Sequence, residues 1–70
     1  MKASKYLEKQ IQNERKRIME HKTDKFEEYT HLDEINGALK MARMLELIKK
    51  KKYIEFSKQV ADLMDYIDDL

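Results

Sequence analysis

Apolar residues recur along this chain at steps of three and four, the spacing of one face of an α-helix. The pattern is most regular at Tyr53, Phe56, Val60, Leu63, Ile67 and Leu70, with Met64 widening it on one flank. An unbroken a/d stripe of this kind predicts an amphipathic C-terminal helix over residues 53–70. Its opposite face carries Lys58, Asp62, Asp65, Asp68 and Asp69. Left bare, the stripe would hold apolar surface in water, so it requires a partner: the same chain, a second copy or another protein.

Two further helices are predicted upstream. Residues 3–20 carry Tyr6, Leu7, Ile11, Ile18 and Met19, with a gap at Glu14 and Arg15, and Ser4 is a weak N-cap candidate. The segment His21-Lys22-Thr23-Asp24 reads as a turn. Asp24 followed by Glu27 has the form of a helix start, a carboxylate cap with an acid in the first turn. A helix over residues 25–50 then aligns Tyr29, Leu32, Ile35, Leu39, Ala42, Leu45 and Ile48, broadened by Met41, Met44 and Leu47. It is expected to be the most buried of the three. Gly37 lies within it, at a cost of about 1 kcal/mol relative to alanine. Close approach of a neighbouring backbone, a local kink, or drift at an exposed site each accounts for a glycine there.

Composition supports this outline. The chain has 70 residues, 41% of them charged, with one glycine and no proline. That favours helices over a turn-rich β fold. A chain so short buries only about 60% of its unfolded surface. Without cysteine it has neither a disulfide nor a thiolate metal site to reinforce it. The expectation is an all-α domain, a helical hairpin or three-helix bundle with coiled-coil-like spacing, oligomeric through its C-terminal helix. No uncharged run is long enough to span a membrane, and the lysine-bearing N-terminus lacks the apolar segment of a signal peptide, so a cytoplasmic protein is expected.

Charge alternates in blocks whose sum is a net +1. Residues 1–25 and 47–58 are basic, and residues 26–46 and 59–70 are acidic. Folding the chain into three helices brings Asp62 to Asp69 toward Arg15, Lys16, Arg17 and Lys22, although a second copy would satisfy the same charges. Lys49, Lys50, Lys51 and Lys52 read as a solvated helix end suited to the negative pole of the macrodipole. An anion or nucleic-acid contact is the alternative reading, and the absence of glycine and proline there also allows a helix running straight through the lysines. The alternating acidic blocks weigh against nucleic acid, and the acidic polar face of the last helix weighs against a membrane surface.

Candidate chemistry is sparse. His21 and His31 lie ten residues apart, without the spacing or companions of a zinc site, and read as exposed. Glu27, Glu28, Asp33 and Glu34 read as a solvated acidic face. Ser4 and Ser57 have no histidine near them in sequence, and no glycine-rich phosphate loop is present. The chain is therefore expected to be non-enzymatic, with no catalytic residue, metal or cofactor. The stretch Asp24-Lys25-Phe26-Glu27-Glu28-Tyr29, with Leu32, Ile35 and Gly37-Ala38-Leu39, resembles small bacteriophage accessory proteins built as helical hairpins. That resemblance implies a virion or assembly component, or an early protein that binds and disables a host factor, in the virion or host cytoplasm. It carries over no functional residue. The functional expectation is protein–protein contact: self-association through Tyr53, Phe56, Val60, Leu63, Met64, Ile67 and Leu70. The alternatives are inhibition of a host enzyme or defence factor through the acidic patch Asp62, Asp65, Asp68 and Asp69, and a nucleic-acid accessory role for Lys49 to Lys52.

Overall fold

The computed structural model describes residues 2–20 and 24–70. Three helices follow in order: α1 over Ala3–Met19, α2 over Lys25–Met44 and α3 over Lys50–Asp68. Each helix runs back along the one before. Arg17 meets Glu27 and Glu28 at one end of the α1–α2 pair, and Tyr6 shares a groove with Ala38 farther along, so these two helices are antiparallel. Each helix packs against both others, within principal extents of 34 × 21 × 16 Å. The result is an all-α three-helix bundle.

The helix starts differ in quality. Asp24 caps α2 as its spacing predicts: its Oδ1 accepts from the Glu27 N–H at 2.8 Å. The predicted turn at His21 to Thr23 lies outside the described residues, between the C-cap Glu20 and the N-cap Asp24. Ser4 is not a cap, because α1 begins one residue earlier, after Lys2, without a side-chain cap. Neither is Lys49, the residue before α3, bonded to the helix through its side chain. The first turn of α3 carries no acid and its last turn no base.

The second helix ends earlier than its apolar spacing predicts. After Met44 the Leu47 N–H donates to the Ala42 carbonyl at 2.8 Å and the Glu46 N–H to the Arg43 carbonyl at 3.1 Å. These are the paired bonds of a Schellman motif. Glu46 occupies the left-handed position, at φ 57°. The Arg43 guanidinium donates to the Ile48 carbonyl at 3.3 Å and ties the turn together. The chain therefore reverses over residues 45–49, and Lys50, Lys51 and Lys52 become the first turn of α3, which starts three residues before the predicted Tyr53. A left-handed glutamate costs about 1–2 kcal/mol that glycine does not incur. Glycine's greater unfolded-state freedom returns part of that. Glu46→Gly is expected to gain somewhat under about 1 kcal/mol in urea unfolding, whereas Glu46→Ala gains nothing; equal effects of the two would assign the change to the lost charge.

The core is drawn from all three helices and the second turn: Leu7, Ile11 and Ile18; Leu32, Ile35, Leu39 and Ala42; Ile48; and Phe56, Val60, Leu63 and Ile67. Tyr29, Tyr53 and Met64 pack half-buried at its edge. The stripe of the last helix thus finds its partner within the chain. Phe56, Val60, Leu63 and Ile67, expected at a seam between copies, are enclosed by α1 and α2, and Leu70 is exposed. Helix α2 holds five buried residues against four in each of the others, all on one stripe; Met41 and Met44 on the helix, and Leu45 and Leu47 just beyond it, face solvent.

Gly37 is exposed on α2, and a Cβ placed there meets nothing within 4 Å. No neighbouring backbone calls for the glycine. Gly37→Ala is expected to stabilise the chain by about 1 kcal/mol, raising the thermal midpoint by roughly 4–8 °C. A midpoint that stays put or falls would count against this.

Candidate functional site

The buried residues of α1 are Leu7, Ile11, Glu14 and Ile18, and those of α2 are Glu28, Leu32, Ile35, Leu39 and Ala42. Both sets keep the four–three spacing of a core stripe, and each includes one glutamate. Glu14 and Glu28 are therefore core positions occupied by carboxylates. The α1–α2 contact brings them together near the start of α2. His31, three residues after Glu28 and on the same face, turns its ring toward them. Arg17, three residues after Glu14, closes the group.

The distances are short and the burial is deep. His31 Nδ1 lies 3.4 Å from Glu14 Oε2 and 4.0 Å from Glu28 Oε1. On the other side of the ring, His31 Nε2 is 4.0 Å from Glu27 Oε1. Arg17 approaches Glu28 Oε1 at 3.6 Å and Glu27 Oε1 at 3.7 Å, beyond hydrogen-bond length in both cases. Glu28 is 2% exposed. Four buried atoms here lack any hydrogen-bond partner: Glu14 Oε2, both carboxylate oxygens of Glu28, and His31 Nδ1. A native interior leaves few such groups, and each has a specific cause. Burial, together with Glu14 beside it, pushes the Glu28 carboxyl up to about 7, against the smaller opposing pull of Arg17 and His31. The positive end of α2 favours the ionised form but does not offset the desolvation.

A groove of about 310 Å³ opens over this cluster between α1 and α2, lined by Tyr6, Gln10, Glu14, Arg17, His31 and Glu34, among others. It gives Glu14 and His31 an access route from solvent, while Glu28 is not part of its wall. The arrangement can hold a shared proton, or a small cation, between carboxylates that are otherwise uncompensated.

Sequence reading placed none of this. His31 reads there as exposed and Glu28 as part of a solvated face; the structure half-buries the first and buries the second. Of the other acids named with Glu28, Glu27, Asp33 and Glu34 are exposed. The two charge patches are not brought to any cavity. Lys49, Lys50 and Lys51 are exposed and form no ion pair among the described residues, while Lys52 pairs with Glu55 at 3.4 Å and sits 5.6 Å from the Phe56 ring centroid. Asp62, Asp65, Asp68 and Asp69 are exposed and, among the described residues, unpaired. The expected approach of this tail to Arg17 is not realised as an ion pair, because Arg17 turns to Glu27 and Glu28.

A second surface feature lies at the other end of α2. Met41, Met44, Leu45, Leu47 and Ile54 are 54–78% exposed, and all fall within one stretch around the Leu45–Lys49 reversal. Lys40, Arg43 and Lys49 to Lys52 occupy the same stretch, with Glu46 the only acid between residues 40 and 54. Among the described residues, no helix is long and apolar enough to cross a membrane.

No protein-family model matches this chain, and neither a curated protein nor a solved structure matches it. The likeness of residues 24–39 to small phage hairpin proteins rests on those residues alone.

Proposed function

We propose that the protein acts without catalysis, by docking the apolar and basic corner between α2 and α3 onto an acidic, apolar-lined groove of a partner protein. The observation that carries this reading is the exposure of Met41, Met44, Leu45, Leu47 and Ile54 within one stretch around the reversal, in a chain whose core takes regularly spaced apolar side chains from all three helices. Methionine and leucine side chains grouped this way adapt to a partner's surface. The surrounding cations select an acidic partner and speed its encounter. They also disfavour the same corner of a second copy. Self-association through the C-terminal stripe is not part of this reading, since Phe56, Val60, Leu63 and Ile67 would have to leave the core of their own chain. A nucleic-acid role is less well supported, because large apolar residues interrupt the cations.

The test is a double variant, Met44→Glu with Leu47→Glu, at two exposed positions. It is expected to keep the wild-type melting curve and to lose at least about tenfold in affinity for the partner captured from source cells. Asp62→Asn with Asp65→Asn, on the acidic patch, is expected to leave binding unchanged. Full binding by the first variant, or loss by the second, would overturn the assignment. Binding only to anionic vesicles or to nucleic acid would replace the protein partner.

A further inference from the structure

We propose that Glu14, Glu28 and His31 form a binding site for one divalent transition-metal ion, with Zn²⁺ as the reference case, that pins α1 to α2. The donors are the atoms otherwise left without partners: Glu14 Oε2, Glu28 Oε1 and Oε2, and His31 Nδ1. One oxygen from each glutamate and the imidazole nitrogen lie within 4.8 Å of one another. At zinc–ligand distances of about 2.0–2.2 Å, neighbouring donors in a tetrahedral site stand about 3.3 Å apart. The His31–Glu14 edge is 3.4 Å and the His31–Glu28 edge 4.0 Å, so the second closes by less than an ångström.

The chemistry of the set agrees with the geometry. Two carboxylates neutralise the ion, and a neutral imidazole completes an oxygen–nitrogen set suited to Zn²⁺ and its first-row neighbours. Glu28 and His31 have the Glu-x-x-His spacing by which bundle helices present both groups to one ion. His31 offers Nδ1 to the site while Nε2 faces Glu27, whose exposed side chain is free to tighten onto it as the outer carboxylate that orients metal-bound histidines. Glu14, Glu28 and His31 supply three donors, and a water from the groove completes the tetrahedron. A bundle of this size without a disulfide gains most from such a staple. Among the described residues Arg17, at 3.6 Å from Glu28 Oε1, is the permanent cation paired with the site, and its 41% exposed side chain can withdraw toward Glu27. The cluster lies about 24 Å along α2 from Met44, so the two proposals fail or stand separately.

The experiment titrates the chelator-treated 70-residue chain with Zn²⁺, followed by calorimetry and thermal melting. One-to-one binding is expected. Free Zn²⁺ at about a hundred times its Kd should favour the folded state a further hundredfold, moving the midpoint up by on the order of 10 °C. Glu14→Gln and His31→Ala should each abolish the shift, whereas His21→Ala should keep it. Glu14→Gln preserves shape and removes a buried charge, so it carries the test if His31→Ala does not fold. Co²⁺ in place of Zn²⁺ should give the visible absorption of a tetrahedral site and displace the His31 Nδ1 resonance. No binding, weak binding at several sites, or a shift that survives Glu14→Gln or is lost with His21→Ala would each overturn the proposal.

Discussion

Leu63→Asp is expected to unfold the chain outright. Leu63 is 4% exposed and sits in the part of α3 covered by the other two helices. Truncating a buried leucine costs about 2–5 kcal/mol before any charge is introduced, and an unpaired buried carboxylate adds to that. A single core in a domain of this size supplies only about 3–5 kcal/mol, so the loss meets or exceeds the whole. The far-UV circular dichroism of a helical protein should collapse. Ile54→Asp, a similar change at a half-exposed position of the same helix, should leave it intact. A seam between copies predicts something else for Leu63→Asp: a folded chain of 8.5 kDa released from a larger assembly, which light scattering would detect.

The second large effect concerns Glu28→Gln and its dependence on pH. The Glu28 carboxyl, ordinarily near 4.5, is raised to about 7 by burial and by Glu14, with Arg17 and His31 opposing. Between those values the folded chain holds a proton that the unfolded chain has released. This contribution to stability is therefore complete below about pH 4.5, declines as pH rises through 7 and is absent above it. Its full span is on the order of 3 kcal/mol. Glutamine has the shape of the protonated acid and no proton to lose. In chelator-treated samples, the urea midpoints of the variant and parent should lie close together at pH 4, with the variant clearly higher at pH 8. The difference between the two curves isolates this group from the other titrating side chains. Parallel curves across the range would show that Glu28 is not the buried acid described.

Periodicity foretold three helices and the Asp24 cap, because each depends on residues close together in sequence; it marked the stripe of α3 but assigned it to a seam between copies instead of the core. The end of α2 was hidden for a local reason. A helix stop of this geometry normally shows itself through glycine, and here glutamate takes the left-handed position, while Leu45 and Ile48 keep helical phase across the break. Ile48 is buried from the turn rather than from the helix. The polar cluster was partly legible. On α1 the steps Leu7, Ile11, Glu14, Ile18 are regular only when the glutamate is counted, and on α2 Glu28 adds one more regular step before Leu32 and Ile35. A stripe drawn through apolar residues alone records the two glutamates as a gap or as solvated acid. What no single stripe reveals is that the two irregular positions face each other across α1 and α2, and that His31 joins them.

The charges of α3 run against its peptide dipoles: Lys50 to Lys52 at the amide end, Asp68 and Asp69 at the carbonyl end, and no side chain capping the start. Such a segment has little reason to coil by itself, so a peptide of residues 49–70 should be largely unstructured in water. The α1–α2 hairpin, with its capped second helix, then serves as the template on which the last segment orders. Moderate salt, by screening the mismatch, should make the final docking step more favourable rather than less.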